Sequence, residues 1–129
     1  MKYILMMNTM KAGQGVPSWP RHDLVAHIEF MKNLNKKLHD SGEFVSAEGL
    51  SFPDQARLVQ AGKDGIPVTD GVFPESKEFL AGFWIVDVEN PEQAYRIAAR
   101  ASAAPGPKER GNMAIEVRPI MSGPPPEML

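Results

Sequence analysis

The chain has 129 residues and a formal net charge of -2, with 14 basic and 16 acidic residues and no cysteine. This length fits a single domain that buries its own core. The lack of cysteine excludes disulfides, thiolate metal sites and a cysteine nucleophile. No long run of one charge sign appears, so the chain lacks the basic patch that nucleic-acid binding needs.

The apolar runs are short. The first ends at Asn8, too soon for the core of a signal peptide. The second, residues 79–86, is far shorter than a membrane span. We therefore expect a cytoplasmic protein without a membrane or nucleic-acid partner.

The first part of the chain predicts a strand, a helix and a second strand. Residues 3–7 are an apolar run typical of a buried strand, and a loop rich in Gly and Pro follows over residues 11–20. Residues 22–41 predict a helix, and residues 43–48 a strand. The apolar stripe of the helix consists of Leu24, Ile28, Met31, Leu34 and Leu38.

The middle of the chain predicts a hairpin. Two short apolar segments, residues 57–61 and 66–69, flank the turn signal Lys63-Asp64-Gly65. Pro67 has no amide hydrogen to donate, so its strand should lie at an edge or be irregular.

The last part repeats the pattern of the first. Residues 79–88 predict the strongest strand, a helix follows from Asn90 and ends before Pro105, and residues 113–120 predict the last strand. We expect one domain over residues 1–122 and an extended proline-rich tail over residues 123–129.

The helix ends carry their own signals. Ser18 or Asp23 is a candidate N-cap of the first helix, and Gly42 stands where a left-handed C-terminal cap belongs. The second helix has a fuller signal, with a cap, a proline at the first position and a capping-box glutamine: Asn90, Pro91 and Gln93.

The order β-α-β, hairpin, β-α-β predicts a ferredoxin-like α+β fold, with an antiparallel sheet and both helices on one face. Both faces of this sheet should be apolar. In the strongest strand, one side carries Leu80, Trp84, Val86 and Val88 and the other Ala81, Phe83 and Ile85. The first strand repeats this pattern, with Tyr3, Leu5 and Met7 opposite Ile4 and Met6. Two helices cover only one face, and the insert between Leu50 and Glu78 is a candidate cover for part of the other. A second copy is the better explanation, so we expect a homodimer that packs sheet to sheet around a ligand cavity.

Three segments carry a resemblance to a known family. Residues 68–83 read VTDGVFPESKEFLAGF, residues 47–50 AEGL and residues 114–119 AIEVRP. Together they resemble the DGPF-bearing branch of the YCII-related family, in the order of the family and over residues 1 to about 120. Val72 stands where the family usually has a proline.

The resemblance implies a bacterial dimeric α+β barrel built from ferredoxin-like subunits. It implies little about activity. Some relatives in the wider family use a His–Asp pair in a cleft, and members of this branch accompany extracytoplasmic-function sigma factors.

Asp70 and His27 are the candidate catalytic residues. A carboxylate at the mouth of an apolar cavity can have a raised pKa and transfer protons, but Asp-Gly is also an ordinary turn pair. His27 lies beside the apolar stripe of the first helix, either as a general base oriented by Asp70 or as a hydrogen-bonded structural histidine.

Five further residues are candidate ligand-binding groups: Glu48, Glu75, Lys77, Arg118 and Trp84. Lys77 either holds an anionic ligand or neutralises Glu75 or Glu48. Arg118 either clamps a carboxylate or forms an internal ion pair, with Glu48 as one partner. For Trp84, a place in the core is the simpler interpretation.

No cofactor or metal is predicted. The three histidines form no i, i+4 pair with a glutamate, and the chain has no phosphate loop, nucleophile elbow or dinucleotide fingerprint. Two functions fit best: a cofactor-free enzyme that transfers protons on a small organic molecule, or a ligand-binding or regulatory module linked to sigma-factor signalling. A structural dimer without a ligand is a third interpretation.

Overall fold

A computed structural model describes residues 1–10, 19–71, 78–107 and 112–128 of the chain. Its strands and α-helices follow in the order β1 (Lys2–Met10), α1 (Arg21–Asp40), β2 (Phe44–Gly49), β3 (Arg57–Ala61), β4 (Pro67–Gly71), β5 (Glu78–Asp87), α2 (Pro91–Ser102) and β6 (Ile115–Pro119). These match the predicted elements, with ends that differ by a few residues.

Four of the strands form one antiparallel sheet in the order β2-β5-β1-β6, and β3 and β4 pair separately as a hairpin. This is the ferredoxin-like arrangement, with the hairpin inserted between two strands of the sheet. The predicted α+β fold is therefore confirmed. None of the helices in the described ranges is both long and apolar enough to cross a membrane.

Both helices pack on one side of the sheet, which we call the front face. Leu5 and Val86 of the sheet are completely buried there, as is Leu38 of α1. The other buried side chains of this core are Tyr3, Leu34, Trp84, Val88, Ala94, Ile97, Ala98 and Ala101. The predicted alternation of the two central strands is thus confirmed around their middle.

A β-bulge breaks this alternation in β5. Met7 pairs with Gly82 and Asn8 pairs with Leu80, so Ala81 is an extra residue between two pairs. The prediction that Leu80 shares the side of Trp84 is wrong, because the extra residue reverses the alternation before it. Leu80 lies opposite Asn8 and is partly exposed.

The two helices begin differently. At α1, Pro20 occupies the N-cap position without a side-chain hydrogen bond, and Asp23 lies within the first turn. The prediction of Asp23 as the cap is therefore wrong, and Ser18 lies outside the described residues. At the other end of α1, Gly42 has φ +80°, as predicted for a left-handed cap.

At α2 the predicted cap is confirmed. The Asn90 side chain accepts a hydrogen bond of 2.9 Å from the Gln93 amide. The Gln93 side chain in turn accepts one of 2.8 Å from the amide of Glu89, one residue earlier than in the usual capping box.

The hairpin turns at Asp64 and Gly65, which both have positive φ, 60° and 75°. This left-handed pair suits the tight connection that the turn signal predicts. Pro67 is the first residue of β4, where its missing amide costs no ladder bond. Every residue of β3 and β4 is exposed.

Candidate functional site

The side of the sheet that points away from the helices, the rear face, combines an apolar centre with an ionisable rim. Directly opposed residues of antiparallel strands lie on the same face. The register therefore places two rows of four side chains across it, Arg118–Ile4–Ile85–Ser46 and Glu116–Met6–Phe83–Glu48. The apolar residues belong to the central strands and the polar residues to the edge strands.

The apolar centre of the rear face is only half-buried, and its side chains are Ile4, Met6, Phe83 and Ile85. None of them belongs to the core or packs against it. Of the described helices and strands outside the sheet, only α1 and α2 pack substantially on it, and both lie on the front face. No described helix or strand therefore forms a layer over the rear face.

The rim of the rear face carries exposed charges on opposite edges. Glu48 is on β2, while Glu116 and Arg118 are on β6. The ion pairs found among the described residues join Met1 to Asp87 and His22 to Asp23, so none involves the rim. The internal Glu48–Arg118 pair that the sequence left open does not form within these residues, because the whole sheet separates the two strands.

Glu116 is a rim residue that the sequence reasoning missed. It stands opposite Met6, and Arg118, two residues later, stands opposite Ile4. Residues two apart in a strand share a face. Placing Arg118 on a cavity face therefore already placed Glu116 there, and this spacing was the available signal.

His27 lies on α1 and contacts the segment that follows α2. Its Nδ1 is 3.1 Å from the carbonyl oxygen of Pro105, and its ring meets that of Trp19 edge to face at 5.1 Å. Because a carbonyl only accepts, Nδ1 carries the proton in this bond. In the described structure, His27 thus joins two segments on the helix side of the sheet.

Asp70 lies on β4 of the hairpin and is exposed. Its Oδ1 accepts a hydrogen bond of 2.8 Å from the amide of the next residue, Gly71. The hydrogen bonds found for Asp70 and His27 therefore lead to different parts of the fold. The acid–base pair stays a prediction.

The other predicted site residues fall in two groups. Trp84 is 6% exposed and lies in the front-face core, where its Nε1 donates a hydrogen bond of 2.8 Å to Asn35 Oδ1. Within one chain, its ring therefore contributes to packing. Glu75 and Lys77 lie outside the described residues.

At one end of the rear face, the N-terminus pairs with β5. The Met1 ammonium group donates a hydrogen bond of 2.9 Å to Asp87 Oδ1. This bond, with the positive charge of the ammonium group, lowers the pKa of Asp87 below its ordinary value of 3.8. Lys2 stands opposite Asp87 and acts in the same direction.

Two surface grooves of the single chain, of about 570 and 610 Å³, lie elsewhere. One runs along the first turns of α1, and the other lies where Met1 meets the end of α1 and the start of α2. Neither is lined by a predicted site residue. Among the residues in the described ranges, no cluster of three or more His, Asp or Glu side chains is placed to hold a metal ion.

The family model of the YCII-related domain matches residues 1–121 of the chain. The matched region contains all the helices and strands named above, and both rows of the rear face. No curated protein matches the chain.

Proposed function

The chain belongs to the YCII-related domain family, and from this premise we propose that it binds a small organic molecule between the rear faces of two copies of the chain. The observation that carries the proposal is the apolar centre of the rear face, which has an ionisable rim and no covering layer among the described elements.

Exposed apolar surface is costly in water, which favours a second copy over the rear face. Soluble monomers rarely keep a contiguous apolar patch larger than about 300–600 Å². A twofold partner covers such a face with an identical one, and twofold dimers are the commonest oligomers. The resemblance to dimeric α+β barrels points in the same direction.

The rear face combines apolar and charged surface, which favours a ligand. Small-molecule sites are mainly apolar and contain a few fixed polar groups. Met6 and Phe83 provide apolar surface in the centre, and Glu48 and Arg118 provide charges at the rim. A small organic molecule with one polar group matches this arrangement.

Binding is better supported than catalysis. Proton transfer needs its groups within hydrogen-bond reach of each other or of the substrate. The hydrogen bonds described for His27 and Asp70 lead to Pro105 and Gly71 instead. The proposed site on the rear face therefore fits a regulatory module, such as one in sigma-factor signalling, better than an enzyme that uses His27, because His27 lies on the helix side of the sheet.

Sedimentation equilibrium and a thermal-shift screen test the proposal. The expected mass is that of two chains, and we expect a hit among small carboxylic acids, phenols and amines. Glu48→Gln, on the rear face, should reduce the thermal shift, while Glu92→Gln, exposed on α2, should retain it. A mass of one chain at every concentration, or hits that stabilise both variants equally, would contradict the proposal.

Turnover separates binding from catalysis. We expect the hit to be recovered unchanged after incubation with the protein, as monitored by NMR. If a product forms, His27→Gln and Asp70→Asn test the acid–base pair, since loss of turnover with retained binding assigns a catalytic role to both residues.

A further inference from the structure

We propose that the twofold axis of the dimer crosses the strands of the rear face, so that Arg118 of each copy pairs with Glu116 of the partner subunit. The inference rests on the proposed function, because it presupposes that the rear faces meet. It adds the relative orientation of the two copies and the charge pair that selects it.

The charges in the two central rows of the rear face are distributed unevenly. Lys2 and Asp87 also lie on this face, at its end, but Asp87 is already paired with the Met1 ammonium group of its own chain. One row carries a cation at the β6 edge, Arg118, and a neutral hydroxyl at the β2 edge, Ser46. The other row carries a carboxylate at each edge, Glu116 and Glu48. An identical face can meet this one about a twofold axis that runs either along the strands or across them. The charges are complementary in only one of these two arrangements.

With an axis parallel to the strands, each row faces the same row of the partner subunit, and the β2 and β6 edges of the row are exchanged. Glu48 would then face the partner's Glu116, and Arg118 would face the partner's Ser46. Two carboxylates brought together at an interface repel each other. The arginine would also lie without a carboxylate partner, so the charges oppose this arrangement.

With an axis that runs across the strands, midway between the two rows, each row faces the other row of the partner subunit. Each strand then faces the same strand of the partner. Arg118 then faces the partner's Glu116, and the symmetry repeats the pair. Glu48 faces the partner's Ser46, whose hydroxyl group can donate a hydrogen bond to it. Every rim group then meets a complementary one.

The same axis also matches the apolar centre. Ile4 faces the partner's Met6, and Ile85 faces the partner's Phe83, so a smaller and a longer side chain meet at each position. Alternation of this kind lets facing layers fit together. The charge pairs occupy the β6 edges, so the ligand of the proposed function is expected towards the opposite edge of the face, beside Phe83 and Glu48.

Charge reversal tests the axis. Arg118→Glu brings two carboxylates together at each pair, and Glu116→Arg brings two cations together. We expect each variant alone to dimerise at least about tenfold more weakly than the wild type, with circular dichroism checking the fold. In a 1:1 mixture, both pairs regain opposite charges, so the heterodimer should dominate in native mass spectrometry.

Mixing is the decisive step because each variant also places like charges two residues apart within its own strand. Repulsion inside one chain is not relieved by mixing, whereas repulsion across the interface is. Glu29→Lys and Lys32→Glu, both exposed on α1, are the matched controls and should mix at random. If a reversal variant fails to fold, Arg118→Gln and Glu116→Gln in a double-mutant cycle replace it, with a non-zero coupling expected.

The outcomes separate the two proposals. A monomeric wild-type protein overturns both. A dimeric wild type with unweakened variants and random mixing, or with zero coupling in the neutral cycle, overturns the axis and leaves the proposed function standing. A Glu116→Arg homodimer tighter than the wild type overturns it as well, because that result places the partner's Glu48 opposite residue 116.

Discussion

Gly82 is a residue of β5 that lies close to the backbone of the edge strand β2. A Cβ atom at this position would lie 2.9 Å from the carbonyl oxygen of Glu48 and 3.5 Å from the Cα atom of Gly49. Both atoms belong to the backbone and cannot rotate away. Glycine at position 82 therefore allows the spacing of the strand that holds Glu48 on the rear face.

We expect Gly82→Ala to lower the free energy of unfolding by about 1–3 kcal/mol, since overpacking forces the two strands apart. Gly49→Ala is the matched control, because Gly49 is the register partner of Gly82 and a Cβ there meets nothing within 4 Å. Urea unfolding measures both. Equal losses in the two variants would show that loss of glycine, and not the close approach, causes the effect.

Asp87 should titrate abnormally. Its pKa is lowered by the hydrogen bond from the Met1 ammonium group and by the charge of that group. A carboxyl with a lowered folded-state pKa stabilises the fold above its unfolded pKa, near 3.8, and loses this contribution as the pH falls through the lower folded value. We expect ¹³C NMR to place the midpoint of Asp87 below 3.8 and N-terminal acetylation to raise it. An unchanged midpoint after acetylation would contradict the assignment.

At this scale, the sequence predicted side-chain direction better than side-chain partners. Alternation alone placed Phe83 and Ile85 opposite to Trp84 and Val86, and the structure shows that the side of Phe83 and Ile85 points away from the helices. The partner of His27 is the carbonyl of Pro105, 78 residues away, and nothing in the local pattern of either residue encodes that contact. Trp84 likewise donates a hydrogen bond to Asn35, 49 residues away, so its place in the core could be predicted but this partner could not.

At the scale of the element, local signals were reliable where all their contacts are local. The start of α2 could be predicted in full because its cap contacts lie within Glu89 to Gln93. The start of α1 could not, because Pro20 holds the cap position without any side-chain bond. The bulge at Ala81 depends on the pairing of β5 with β1, so the sequence pattern misplaced Leu80.

The cap of α2 leads to a direct prediction. Asn90→Ala removes the acceptor of the Gln93 amide and should lower the free energy of unfolding by about 0.5–2 kcal/mol. Asn90→Ser keeps an acceptor and should lower the free energy of unfolding by only about a few tenths of a kcal/mol. Thermal and urea unfolding of the two variants check this, and similar losses would indicate that the hydrogen bond at Asn90 contributes little.

At the scale of the molecule, the order of elements was enough to predict the sheet, because few topologies satisfy β-α-β twice with both helices on one face. The same sequence also predicted that the second face would be apolar. It led to the prediction that a second copy covers that face, but not to the orientation of that copy, because the charge pairs that we propose meet only across an interface. Glu116 could have been recognised from its spacing to Arg118, and the register places it opposite Met6.

If a dimer holds the fold together, the stability of the wild-type protein depends on its concentration. Binding of a second copy stabilises the folded chain by mass action. A tenfold rise in concentration adds about 1.4 kcal/mol per dimer, which should raise the thermal midpoint by about 2–4 °C. Phe83→Lys should abolish this dependence, since it places a charge in the centre of the rear face while its stem still covers apolar surface.

Val59→Lys is the control for that experiment, because Val59 is also an exposed apolar strand residue but lies on the hairpin. It should keep the concentration dependence of the wild type. Calorimetry at two concentrations measures all three proteins. A wild-type midpoint that does not move with concentration would contradict the dimer, and a Val59→Lys midpoint that stops moving would place the contact on the hairpin instead of the rear face.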